Sequence, residues 1–306
     1  SNYGPLAEIW FDGACGEGPN GRRQEYDWPS YHAIINRLQP HAVVFSDAGP
    51  GVRWIGNERG IAGDPCWSTV DPARVPAPGM AGKEGRESLQ HGDRDGTVWR
   101  PGESDVSIRP GWFWHASQDS EVRSVDNLVD LYFKSVGRNS LLLLNVPPTT
   151  AGLLSEIDVT RLAQFRAALA AIFQTNLAAG AKPQASNVRD GQACYGPAQA
   201  LDADPDTYWA TDDAQDSAWL EVDLGRPVEF DVVSIQEAIA LGQRVEAWQL
   251  QVWRDGAWQP IVRGTTVGHK RLERFEPVTA QRVRLVVEKG KACPLVAGFG
   301  LYRTPK

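Results

Sequence analysis

The chain has 306 residues, 42% hydrophobic and 23% charged, with a formal net charge of −7 at pH 7. No apolar run approaches the ~18 residues of a membrane-spanning helix, so the sequence predicts no membrane partner. An acidic balance, with a pI near 5.3, argues against a nucleic-acid partner, which needs a basic face.

In chain order, AEIWFDGA (7–14) reads as a strand that stops on an acid, Asp12. DWPSYHAIINRLQP follows as a helix with Tyr31, Ile34, Ile35 and Leu38 on one face. HAVVFSDAG is a buried strand, apolar from Ala42 to Phe45 and ending near Asp47, and GVRWIGNERG is a glycine-bracketed loop carrying Glu58. Roughly 71–102 reads as a long Gly/Pro/charge-rich loop, and SDVSIRPGWFWH as strand-like. SVDNLVDLYFKSVGRNS is an amphipathic helix capped by Ser124. SLLLLNVPP is a fully buried strand, and TRLAQFRAALAAIFQTNLA closes the unit as a helix.

Apolar strands that do not alternate, separated by helices, indicate a parallel sheet covered on both faces. Polar residues (Asp12, Asp47, Asn145) stand at the strand ends, as catalytic groups do on the C-terminal rim of a (β/α)8 barrel. Such a barrel takes eight strands and about 250 residues, and only four or five strands are countable here. The expectation is the C-terminal half of a barrel over 1–180, its preceding strands on an upstream segment on the order of 100–200 residues.

Residues 181–306 change character. After the linker AKPQASNV come short β-rich runs, with Val283, Leu285 and Val287 alternating against Arg282 and Arg284. An Asp-Gly turn in RDGA joins the Val252-Trp253 run to Trp258. The expectation is a β-sandwich.

Cys15, Cys66, Cys194 and Cys293 show no metal-ligand spacing; free thiols are expected, with a Cys194–Cys293 bridge open as an alternative. Twelve tryptophans supply core bulk, and some are candidates for flat platforms under sugar rings.

Asp12 and Glu58, on neighbouring rim segments, are the paired carboxylates a glycosidase needs: one attacks the anomeric carbon, the other protonates the leaving oxygen. EIWFDGA, RWIGNE, ESDVSIRPGWFWH, LLLLNVPP and the closing helix together resemble the retaining α-L-fucosidases of glycoside hydrolase family 29. They look most like the branch specific for α-1,3/1,4-linked fucose on Lewis-type glycans. The resemblance implies Asp12 as nucleophile and Glu58 as acid/base, with Glu103 as rival acid/base. It implies no cofactor and no metal in the catalytic site, and places the family's active-site histidines upstream of this sequence. Trp10 would floor the fucose ring or fill a layer of the barrel, Arg53 would hydrogen-bond a sugar hydroxyl or pair with a nearby acid, and Trp112 would pack on the fucose methyl; His115 reads as structural.

ALDADPDTYWAT with WLEVDLGRPVEFDVVSI resembles the discoidin-like (coagulation-factor C-type), galactose-binding-like β-sandwich, which also serves as a carbohydrate-binding module. That resemblance implies a structural calcium near Asp202, Asp204 and Asp206. The partners implied are fucosylated oligosaccharides or glycoconjugates, outside the cell or in the periplasm. The competing function is a non-catalytic protein that holds fucosylated glycans without cutting them.

Overall fold

A computed structural model describes residues 2, 4–14, 16 and 20–305, and Cys15 lies outside the described residues. The first unit is built on β1 (Glu8–Trp10), β2 (Val43–Ser46), β3 (Val52–Trp54), β6 (Gly102–Ser107) and β7 (Ser140–Asn145). They pair in the order β1-β2-β3-β6-β7, and every pairing is parallel. The RWIGNE stretch thus contributes a strand of its own ahead of Glu58.

Helix α1 (Trp28–Leu38) starts where the Asp27 carboxylate accepts hydrogen bonds from the Ser30 amide (3.3 Å) and hydroxyl (2.5 Å). Helix α3 (Val125–Lys134) is capped by Ser124, whose hydroxyl accepts from the Asn127 amide at 3.2 Å. With α4 (Glu156–Ile172) it covers the outer face of β6 and β7, where Val106, Ile108, Leu128 and Leu131 pack with Leu142 and Leu144.

Side chains alternate along a strand, so Leu141, Leu143 and Asn145 face the opposite, inner side, together with Trp10 of the first strand and Asp12 just beyond it. That inner side is open. Trp10 is 47% exposed and Leu141 46%, and Tyr31, Ile34 and Leu38 of α1 are exposed as well.

The stretch 71–102 corrects the expectation of a plain loop. Its helix α2 (Lys83–His91) and its strand β5 (Val98–Trp99), paired antiparallel with β4 (Thr69–Val70), are ordered elements. The helix is almost wholly polar and anchors through Leu89, so no 3.6-residue apolar stripe announces it.

The second unit is a seven-stranded antiparallel sheet. Its strands are β8 (Lys182–Ala185), β9 (Trp209–Ala210), β10 (Ala218–Glu237), β11 (Val245–Arg254), β12 (Ala257–Gly264), β13 (Arg271–Gly290) and β14 (Leu295–Tyr302). The order is β12-β11-β13-β10-β14-β9, with β8 added on β10. The two long strands are bulged after Asp223 and after Phe230, which bends the sheet around a core containing Trp209, Trp248, Leu220, Leu250 and Phe230. The Asp-Gly turn forms as expected: Asp255 and Gly256 take φ of 51° and 77°, setting Trp253 opposite Trp258.

The units share a core. Val129 and Phe133 of α3 and Ile172 of α4 pack against Val232 and Leu272 of the sheet, with Phe173 and Tyr302 alongside. Cys66, Cys194 and Cys293 are free thiols, as expected, and the alternative Cys194–Cys293 bridge does not form. Buried Cys293 instead receives hydrogen bonds from Arg189 Nη2 (3.2 Å) and Arg244 Nη1 (3.0 Å), while exposed Cys194 turns to Gln192.

Candidate active site

A cleft of about 360 Å³ opens where the parallel strands end. Trp10 of β1 lines it with Asp12 and Gly13 just beyond that strand, Phe45 of β2 with Asp47 just beyond it, Trp54 of β3 with Glu58 on the following loop, and Asp105 of β6. Parallel strands bring all their C-terminal ends to one side, which is why acids far apart in sequence meet there.

Asp12 Oδ1 accepts the Ala14 amide at 2.8 Å, so the chain turns sharply just beyond the strand. Gly13 is required at that turn: a Cβ there would sit 2.4 Å from the Gly79 nitrogen. The same Gly79 amide donates to Asp47 Oδ2 at 2.8 Å. Burial pushes the Asp47 carboxyl up, and the negative charge of Asp12 adds to the push. Trp10 stacks on Phe45 with centroids 5.3 Å apart and planes 13° apart, forming a flat apolar floor.

Glu58 is exposed on the loop four residues beyond β3, and its Oε2 accepts from Trp112 Nε1 at 3.3 Å. Asn145 steadies Trp112 by donating to its carbonyl at 3.2 Å and to Ser107 Oγ at 2.9 Å. Asp105, which sequence reading passed over, takes a hydrogen bond from Trp54 Nε1 at 2.7 Å. Its carboxyl is pushed up to about 6, first by burial and then by the nearby charge of Glu58. The available signal was period two in ESDVS, which puts Asp105 on the inner face with Glu103.

Glu103 lies one step deeper, 3% exposed, with Oε2 buried and unpartnered. Burial, then Glu8 and Asp105, push it up to about 7. The cleft lining includes Glu58 and not Glu103.

Arg53 is a correction. It is buried, and its guanidinium donates to the Leu89 carbonyl (3.0 Å), the Arg100 carbonyl and Cys66 Sγ (3.8 Å), so it braces α2 and has no donor aimed at a sugar. Arg109 likewise serves the scaffold: its Nε meets both Asp158 oxygens at 3.0 and 2.8 Å, and its Nη1 donates to the His115 carbonyl at 3.3 Å.

In the second unit Asp202 Oδ1 accepts the Asp204 amide (2.9 Å), Asp202 Oδ2 the Thr207 hydroxyl (2.8 Å), and Asp204 Oδ1 the Asp206 amide (3.0 Å). These carboxylates knit their own loop together. Among the described residues no group of three or more His, Cys, Asp or Glu is placed to hold a metal. Trp219, Trp253 and Trp258 lie against the guanidinium groups of Arg282 and Arg284 at 4.0–5.2 Å.

Comparison with known proteins decides the family. The Alpha-L-fucosidase family profile matches residues 1–171. The chain belongs to the alpha-L-fucosidase family. An F5/8 type C domain matches 183–299. The chain is 42% identical to alpha-L-fucosidase 1 of Arabidopsis thaliana over 306 residues, 99% of this chain and 59% of the relative. It superposes on the crystal structure of SpGH29 with a TM-score of 0.90 at 40% identity, covering 99% of this chain and 65% of that one. On a Ruminococcus gnavus GH29 fucosidase in complex with fucose the TM-score is 0.87 at 35% identity, covering 100% and 62%. The chain therefore spans about three fifths of the length of these family members.

Proposed function

We propose that this chain carries the catalytic carboxylates of a retaining, exo-acting α-L-fucosidase that releases α-1,3/1,4-linked L-fucose from branched, Lewis-type glycans. The observation that carries the reading is the meeting of Asp12 and Glu58 on one cleft, in a chain of this family. Asp12, ionised, attacks the anomeric carbon on one face of the sugar; Glu58, protonated, gives its proton to the leaving oxygen. A glycosyl ester on Asp12 forms. Glu58, now a base, takes a proton from water, which displaces Asp12 and frees fucose with its configuration retained. The Trp10–Phe45 floor suits the apolar face of the ring. Trp112, held beside Glu58, stands near where the leaving group passes.

The proposal includes an upstream segment that completes a (β/α)8 barrel. It is supported by the five-stranded open sheet and by Trp10 and Leu141 standing half exposed on its inner side. It also includes a galactose-binding-like β-sandwich and an extracellular or periplasmic setting where such glycans occur. The rival reading, a non-catalytic fucose-binding protein, gives the pairing of Asp12 with Glu58 no task.

The test uses the full-length protein. Asp12→Asn should abolish turnover while leaving fucose binding within a few fold by calorimetry. Glu58→Ala should lose about 10²–10⁴ on a natural glycan and far less on nitrophenyl fucoside, whose leaving group scarcely needs a proton. More than a few per cent of wild-type rate in Asp12→Asn would refute the nucleophile. Equal losses on both substrates would refute the acid/base.

A further inference from the structure

We infer that the C-terminal β unit positions the candidate general acid: Thr266, Gln243 and Arg271 act on catalysis through the loop that bears Glu58. The inference rests on the acid/base reading above and goes beyond it.

Glu58 is exposed and sits on a loop, so the path of its own backbone decides where its carboxyl lies. The barrel side grips that path at the Ile55 amide, on the Glu103 carbonyl (3.0 Å), and at the Gly60 amide, on the Asp105 carbonyl (3.0 Å). Further along, the first unit holds the loop through the Ala62 amide on the Lys134 carbonyl (2.9 Å), the Gly63 amide on the Gln90 carbonyl (3.1 Å) and the Trp67 amide on the His91 carbonyl (2.7 Å), and the other unit grips it between these points. Arg271 donates through Nη1 and Nη2 to the two oxygens of Asp64 at 3.0 and 2.8 Å, and Thr265 adds a hydroxyl. The Cys66 amide donates to Thr266 Oγ1 at 2.9 Å, and the Cys66 carbonyl accepts from Gln243 Nε2 at 2.9 Å. The Ser68 amide donates to Gln243 Oε1 at 2.8 Å. Asn139 closes the network from the first unit, donating to the Cys66 carbonyl (3.2 Å) and Ser68 Oγ (3.0 Å) and accepting the His269 amide (2.8 Å).

Burial decides how much this clamp matters. Cys66, Ser68, Asn139, Gln243, Thr266 and Arg271 are all buried, so each lost bond leaves a polar group without water to replace its partner. Burial alone would raise the Asp64 carboxyl, yet Arg271 holds it below the ordinary carboxylate range. Ile55, Ala62 and Cys66 form a small buried cluster, which transmits the clamp back towards Glu58 by packing. A general acid displaced by about 1 Å can lose on the order of 10²-fold in rate. The β unit is thereby a working part of the active site at a distance, without touching substrate.

The experiment compares kcat/KM on a fucosylated glycan and on nitrophenyl fucoside, in the full-length protein, for four variants. Thr266→Val keeps the shape and removes the acceptor for the Cys66 amide; Thr266→Ser restores that acceptor. Arg274→Ala removes a contact between the units that is remote from the loop, the 2.9 Å ion pair with Asp130 on α3. Glu58→Ala is the reference. The expected result is a roughly tenfold loss for Thr266→Val on the glycan, part of what general acid catalysis supplies, with under about twofold loss on the aryl substrate. Thr266→Ser recovers the glycan rate, and Arg274→Ala lowers the melting temperature without separating the substrates. If Thr266→Val does not fold, Asp64→Asn is read in the same way. Equal effects of the clamp variant on both substrates, beside a Glu58→Ala that separates them, overturn the inference and leave the acid/base reading standing. A Glu58→Ala that fails to separate them overturns both.

Discussion

Replacing Asp158 by alanine tests how the segment carrying Trp112 is held. Arg109 and Asp158 have fully buried side chains, and the guanidinium Nε lies 2.8 and 3.0 Å from the two carboxylate oxygens. Removal of the acid leaves the buried cation with Asp119, 2.9 Å from Nη2, whose side chain is 39% exposed and partly screened by water. Breaking a buried pair from one side costs about 3–5 kcal/mol. The surviving Asp119 puts the loss at the lower end, about 3 kcal/mol. Asp158 is also an anion in the first turn of α4, and losing it there adds about 0.5 kcal/mol. The assay is urea unfolding followed by tryptophan fluorescence, with Asp158→Asn as the variant that keeps shape and an acceptor and loses only the charge. The asparagine variant should lose about half as much. A loss below about 1 kcal/mol for the alanine variant would show that Arg109 is repaired by Asp119 or by water, and would refute the reasoning.

Three further outcomes follow from particular carboxyls and one turn. Glu103 is raised in the fold to about 7 from an ordinary 4.5, so its contribution is complete below about pH 4.5 and is lost as pH rises through 7. Glu103→Gln should therefore match the parent near pH 4 and exceed it at pH 8 by about 1–2 kcal/mol, the linkage value reduced for screening, in melts across pH; no gain at pH 8 would contradict this. Asp105 ionises near 6 beside Glu58. Asp105→Asn should move the alkaline limb of kcat/KM to lower pH by roughly half a unit to one unit, and an unchanged limb would show that the two charges do not communicate. Gly256→Ala, at φ 77° with open space around the new Cβ, should cost about 1 kcal/mol of backbone strain alone, read by urea unfolding.

What the sequence disclosed was mostly local. Ser124 announces α3 because a cap and a 3.6-residue stripe are both short-range, and RDGA announces its hairpin because φ > 0 at two positions is a property of two residues. Asp12 was legible as a strand-end acid for the same reason. Helix α2 was hidden because its hold on the fold is one leucine and a few hydrogen bonds. Arg53 misled because a guanidinium near the cleft has donors that suit a sugar hydroxyl as well as a protein acceptor. Only the return of Leu89 and Arg100 across the fold reveals that its donors are taken. Cys194 and Cys293 fall in one unit by count, yet burial separates them. Asp105 became visible through geometry, because its importance lies in Trp54 and Glu58, about fifty positions earlier in the chain.

The open five-stranded sheet has a practical meaning for anyone handling the polypeptide. Its outer strands, β1 and β7, each present a row of amides and carbonyls with no neighbouring strand among the described residues. Beside these rows lie greasy side chains, Trp10 and Leu141, and the uncovered Tyr31, Ile34 and Leu38 of α1. Edges of that kind recruit any compatible strand within reach. Concentrated alone, the 306 residues should stick to one another at those two borders and leave solution as soft aggregates, whereas co-expression with a complementary strand–helix segment should keep them dispersed. Solubility then becomes a convenient screen for the upstream segment proposed above.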